Sequence, residues 1–142
     1  QTVDGEKKEV GQVFLRPVDG GVQVYGKLTN LQPGRTVSLH IHETGSCDVM
    51  GKAAGGHFNP DNKPHSNPDD MNGHAGDLPN LTANEDGVAT INYVNKKIAA
   101  TEAGKYSVNR LAFIVHAGVD DYTSQPSGNA GDRIGCGIIV KN

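Results

Sequence analysis

Apolar and polar residues alternate with a period of two along six stretches: EVGQVFLRPV over 9–18, GVQVYGKLTN over 21–30, TVSLHIHE over 36–43, GVATINYV over 87–94, RLAFIVH over 110–116 and RIGCGIIVK over 133–141. Successive side chains of an extended chain point to opposite faces, so this pattern predicts strands with one face turned to a core. Turn-forming stretches separate them: VDGG at 18–21, NLQPG at 30–34 and NEDG at 84–87. Their Gly and Asn residues adopt positive φ at little cost. No helical period of 3.6 persists over a comparable length. Many short strands without a convincing helix predict an all-β fold, an antiparallel Greek-key β-barrel or sandwich.

Two segments break this rhythm, residues 43–80 and 117–132, and loops of such length are usually functional or disordered. The first carries Pro60, Pro64, Pro68 and Pro79 and few apolar residues, yet also His57, His65 and His74. Ligand bonds to a metal ion would supply the free energy that this loop cannot gain from burial.

Composition narrows the class. With 142 residues the chain has the size of one domain, expected to span 1–142 with a single core. Aromatics are only 5% and Trp is absent, so that core is expected to consist of small aliphatic and β-branched side chains. A net charge of -3 with dispersed Lys and Arg offers no basic patch for nucleic acid. No apolar run approaches the ~20 residues of a membrane-spanning helix. Cys47 and Cys136 are 89 positions apart, which excludes a CxxC motif and leaves either two free thiols or one long-range disulfide. The chain begins at Gln1 rather than Met, as expected if a leader has been removed or the start of the sequence trimmed.

The six histidines are His40, His42, His57, His65, His74 and His116. In SLHIH the imidazoles at i and i+2 share one face of a strand, while Leu39 and Ile41 take the other. His116 ends another strand and can join that nitrogen-rich clamp, a set suited to copper. His57, His65, His74 and Asp77, separated by eight, nine and three residues, combine three imidazoles and a carboxylate in a set that suits tetrahedral zinc. An HxH pair alone is often incidental, and Asn- and Asp-rich loops are commonly solvated turns. The conjunction of six histidines and an aspartate, divided between strands and long loops, is what points to metal.

The strings HIHETGSC, GGHFNP, GHAGDLPN, FIVHAGVDD and GNAGDRIGCG, in this order, resemble the copper/zinc superoxide dismutase family, and the likeness runs from about residue 8 to 141. It implies an immunoglobulin-like Greek-key fold and dismutation of superoxide to oxygen and hydrogen peroxide by alternate reduction and reoxidation of copper. One copper and one zinc ion per subunit are implied. Copper falls to His40, His42, His57 and His116, and zinc to His57, His65, His74 and Asp77, so that His57 is shared. Asp120 matches an aspartate that hydrogen-bonds a copper ligand and a zinc ligand. Arg133 matches the arginine that receives the anionic substrate, and Cys47 and Cys136 match the intrachain disulfide.

The resemblance also implies a homodimer and, through DLPN and HAGVDD, the exported bacterial branch, hence a periplasmic or secreted protein. Residues 117–132 lack the acid-rich stretch followed by lysine found there in many eukaryotic members. NLT at 80–82 is a formal glycosylation triplet on Asn80. Two rivals stand beside the enzyme: a non-enzymatic copper/zinc-binding or carrier domain of the same fold, and a disulfide-stapled interaction module without metal. Retention of all seven ligands and Arg133 favours the enzyme.

Overall fold

The computed structural model describes residues 1–4 and 6–141; Gly5 and Asn142, both within the domain expected over 1–142, lie outside the described residues. Seven strands follow one another: β1 (Gly11–Val18), β2 (Gly21–Leu28), β3 (Thr36–His42), β4 (Leu81–Thr82), β5 (Ala89–Asn95), β6 (Ala112–His116) and β7 (Arg133–Ile138). Six coincide with the alternating stretches. The seventh, β4, is only two residues long and too short to show a period. A short 3-10 helix at Lys52–Ala54 lies inside the first long loop.

The strands form two antiparallel sheets, in the orders β1-β2-β5 and β4-β3-β6-β7. The chain passes back and forth between the sheets, consistent with a Greek-key sandwich. The barrel alternative fails: among the described residues no strand pairing joins one sheet to the other. Closure requires a continuous backbone ladder. Instead, a groove of about 680 Å³ lies along β1 and β7.

Alternation explains the core. Val22, Val24 and Leu28 of β2, Ala89 and Ile91 of β5, Val37, Leu39 and Ile41 of β3, and Phe113 and Val115 of β6 pack into one cluster between the sheets. Full burial of each larger aliphatic side chain contributes about 1.5 to 3 kcal/mol. β3 is buried on both faces from Val37 to His42. One face supplies this core and the other carries His40 and His42. That second face is covered by the first long loop, whose Ala54 packs with Ala112, Ile114 and Cys136 in a smaller cluster.

Candidate metal centre

The backbone of β3 organises the site. Ile41 N donates to Gly76 O at 2.9 Å and Ile41 O accepts from Phe58 N at 2.8 Å, so two separate parts of the 43–80 loop are tied to one strand residue. This brings His57 beside His42 and Asp77 beside His40. β6 pairs with β3 so that His116 opposes Ser38, two residues from His40 on the same face. Gln125 joins the loops: its Oε1 accepts from His65 N at 2.7 Å and its Nε2 donates to His65 O at 2.8 Å.

Two groups of four result, His40, His42, His57 and His116, and His57, His65, His74 and Asp77. Within each, one candidate ligand atom per residue lies within 4.8 Å of the others. All seven residues are buried. His57 belongs to both. Its Nδ1 lies 3.1 Å from His74 Nδ1 and 3.0 Å from Asp77 Oδ1. Its Nε2, on the opposite edge of the ring, is buried without a hydrogen-bond partner among the described residues.

The tautomers follow from the outer hydrogen bonds. His40 Nε2–H donates to Asp120 Oδ2 and His65 Nε2–H to Asp120 Oδ1, each at 2.7 Å. His42 Nδ1–H donates to Gly55 O at 2.9 Å and His116 Nδ1–H to Gly131 O at 3.3 Å. In a neutral imidazole the other nitrogen then carries a lone pair. Those lone pairs converge. His42 Nε2 faces His116 Nε2 at 3.2 Å, His65 Nδ1 faces Asp77 Oδ1 at 3.1 Å, and His40 Nδ1 is buried with no partner. Acceptor facing acceptor in a buried site requires a cation or a proton between them. A four-nitrogen set and a three-nitrogen, one-carboxylate set therefore fit two bound metal ions that share one ring.

For His42, His57 and His116 the protonation states agree with this. Burial, with His57 adding to it, lowers the His42 pKa to about 2; burial also lowers His57 to about 3 and His116 to about 4. These rings stay neutral and ligand-competent far into acid. For His65 burial pulls down, but hydrogen bonds to Asp120 and Asp77 outweigh it and raise the pKa to about 9. Asp77 and Asp120 are held well below the ordinary carboxylate range because bonds from the histidines overcome the cost of burial.

A pH dependence of the metal-free protein follows. An unfolded histidine titrates near 6.5. Below that pH the unfolded chain binds protons at positions 42, 57 and 116 that the folded chain refuses until about pH 2 to 4, so folding is destabilised as pH falls. His65 has the opposite sign, but its contribution is complete below about 6.5 and is lost only as pH rises through about 9, so it does not compensate. The melting midpoint in chelator should therefore drop steadily between pH 6.5 and 4. A flat profile would show that these rings are not buried and neutral.

Arg133 opens β7 opposite His116 in the β6–β7 ladder. Its Nη1 donates to Gly51 O at 2.7 Å and its Nη2 to Gly55 O at 2.6 Å. Among the described residues it has no carboxylate partner, so its charge is left for another anion. Cys47 and Cys136 form a disulfide that holds the 43–56 segment, with both carbonyl acceptors, against β7. Of the alternatives left by cysteine spacing, the bridged form is the one present.

Several supporting residues escape sequence reasoning. Asn80, readable only as a glycosylation triplet, commits its side chain to the backbone of Asp120, accepting from its N at 3.0 Å and donating to its O at 2.9 Å. Gly128, at φ 71, packs against Asp120 and His65; a Cβ there would collide with Asp120 Oδ1 and His65 Nε2. The string GNAGD contains this glycine, but only the packing gives it a reason.

Comparison with known proteins agrees with the geometry. The copper/zinc superoxide dismutase (SODC) family model matches residues 9–139. Cu-Zn superoxide dismutase 1 of Aquifex aeolicus is 36% identical over 96% of this chain and 83% of its own length. The Cu-Zn superoxide dismutase of Francisella tularensis is 42% identical over 94% of this chain and 74% of its own. The crystal structure of a superoxide dismutase-like protein from Bacillus subtilis superposes with a TM-score of 0.87 at 38% identity, covering 99% of this chain and 96% of that one. With its own histidine clusters in place and the family model matched over nearly its whole length, the chain belongs to the copper/zinc superoxide dismutase family.

Proposed function

We propose that residues 1–142 form one domain that disproportionates two superoxide anions, with two protons, into oxygen and hydrogen peroxide. The observation that carries this reading is the His57 ring, which belongs to both ligand clusters, meets His74 and Asp77 through Nδ1 and keeps Nε2, on its other edge, without a hydrogen-bond partner among the described residues. His40, His42, His57 and His116 would hold copper; His57, His65, His74 and Asp77 would hold zinc. Bound copper supplies one-electron redox chemistry, and bound zinc a fixed positive charge.

The chain's own groups do the rest. Asp120 holds His40 and His65 in the tautomers that aim their lone pairs inward, coupling the two ligand sets through one carboxylate. The Arg133 fork, fixed by Gly51 O and Gly55 O, binds and orients a small anion next to His116. His57 Nε2 has no competing hydrogen bond and can hold a proton when not ligating, within reach of a product that needs protons. Burial of the surrounding rings excludes bulk water, which strengthens each of these interactions. A bare carrier would need neither a shared ring nor a carbonyl-anchored arginine beside it.

Superoxide consumption by the copper- and zinc-loaded protein, measured against the same concentration of free copper, tests the proposal. Arg133→Glu should lower kcat/KM by about a hundredfold or more, because it reverses the charge that receives the anion. Arg133→Lys keeps the charge but cannot bridge both carbonyls, and should cost about tenfold or less. Equal rates for all three proteins would remove the assigned role, and a loaded protein no better than free copper would favour the carrier. The Cys47–Cys136 disulfide supports an extracytoplasmic, periplasmic or secreted setting. Pairing into a homodimer belongs to the same proposal.

A further inference from the structure

β5 ends in polar side chains rather than apolar ones. Ala89, Ile91, Tyr93 and Asn95 share one face by the strand period of two, and the first two are buried in the core. Tyr93 and Asn95 carry that face onward, and Lys97 follows two residues past the end of the strand. All three reach residues 69–75 of the first long loop, the segment that bears His74. Tyr93 Oη donates to Asp69 Oδ1 at 2.8 Å, Lys97 Nζ to Asp70 O at 3.0 Å and Asn95 Nδ2 to Ala75 O at 2.8 Å. Lys63 adds a bond from within the loop, its Nζ donating to Met71 O at 3.0 Å.

Polar bonds hold this segment more than burial does. Met71 and Asn72 are exposed and gain little from the core. Between Met71 and Ala75 the chain borders a cavity of about 270 Å³, lined also by Lys63, Lys97 and Ile98. Asn95 is fully buried and both ends of its amide are engaged, since Oδ1 accepts from Lys97 N at 2.8 Å. A buried amide held at both ends keeps one orientation, and the carbonyl it holds belongs to the residue directly after His74.

We propose that Tyr93, Asn95 and Lys97 are positioning residues for zinc, a brace that fixes the backbone on both sides of His74 and so slows release of the ion. The proposal rests on the assignment of His57, His65, His74 and Asp77 to zinc. None of the three donates a hydrogen bond to a member of that set among the described residues; each acts through the loop backbone or, for Tyr93, through Asp69. A loop ordered in advance loses less conformational entropy when the ion binds. Copper is the internal reference, because its proposed set shares only His57 with zinc and takes His40 and His42 from β3 and His116 from β6.

The test times the transfer of zinc from the copper- and zinc-loaded protein to excess chelator. Tyr93→Phe and Lys97→Met should each speed release about threefold to tenfold, and Asn95→Ala about tenfold or more, as expected for loss of one hydrogen bond at a partly buried and at a fully buried site. Lys97→Arg can still donate to Asp70 O and should stay within about twofold of the unaltered protein. Copper affinity should not change in any of them. Tyr93 and Lys97 are only partly buried, so their variants decide the matter even where Asn95→Ala does not fold. Release unmoved by Tyr93→Phe and Lys97→Met, while His74→Ala still speeds it, overturns the brace and leaves the zinc assignment standing. Release unmoved by His74→Ala overturns both. Equal weakening of copper and zinc, the mark of general destabilisation, overturns the positioning role, as does Lys97→Arg releasing zinc as fast as Lys97→Met.

Discussion

Replacing His57 with alanine should reduce superoxide turnover by at least about a hundredfold, since loss of even an outer hydrogen-bond partner costs 10- to 100-fold and this ring belongs to both ligand sets. The expected signature is distinctive. His74→Ala removes one member of the set proposed for zinc and should weaken zinc while copper remains; His116→Ala removes one member of the set proposed for copper and should do the reverse. Of the three, only His57→Ala should weaken both, because this ring belongs to both clusters. Competition with a calibrated chelator reads the two affinities separately from activity. Unchanged affinities for both ions in a folded His57→Ala protein would end the shared-ring account.

Removing the disulfide through the pair Cys47→Ala and Cys136→Ala should lower stability by about 4 to 5 kcal/mol at most, the chain-entropy value for a crosslink spanning 89 residues. For a chain of this length that corresponds to a fall of roughly 10 to 20 °C in melting midpoint, best measured in chelator so that metal binding does not mask it. A second readout separates a local effect from a global one. The bridge holds the segment whose Gly51 and Gly55 carbonyls accept from Arg133 and whose Gly55 carbonyl also accepts from His42. The fully metallated pair variant should therefore show a higher KM for superoxide at near-normal copper content. An unchanged midpoint and KM together would show that the loop is held by its apolar contacts alone.

Much of this molecule is legible one residue at a time. Period-two alternation located six strands because a half-buried strand must alternate, and the pair His40 and His42 had to share a face for the same geometric reason. Metal ligation was readable because imidazole and carboxylate are the side chains that bind such ions, wherever the chain places them. The roles of Asp120 and Arg133 were not readable from spacing. They came from resemblance, since a lone aspartate in a loop or a lone arginine at the start of a strand carries no periodic signal that assigns it a role.

Other features depend on which segments meet in space. The sandwich remains open where a barrel was one expectation, because among the described residues no pairing joins β1 to β7, and no local pattern reports whether two distant edges meet. The service of Gly51, Gly55 and Gly131 carbonyls as acceptors is equally invisible, since every residue has a carbonyl. The amino-acid sequence by itself determined six of the seven strands found among the described residues and the donor types, both of which follow from local stereochemistry. The tertiary structure alone decided which nitrogen of each ring faces inward, because that choice is made by Asp120, Gly55 and Gly131, brought to the rings from 13 to 80 positions away.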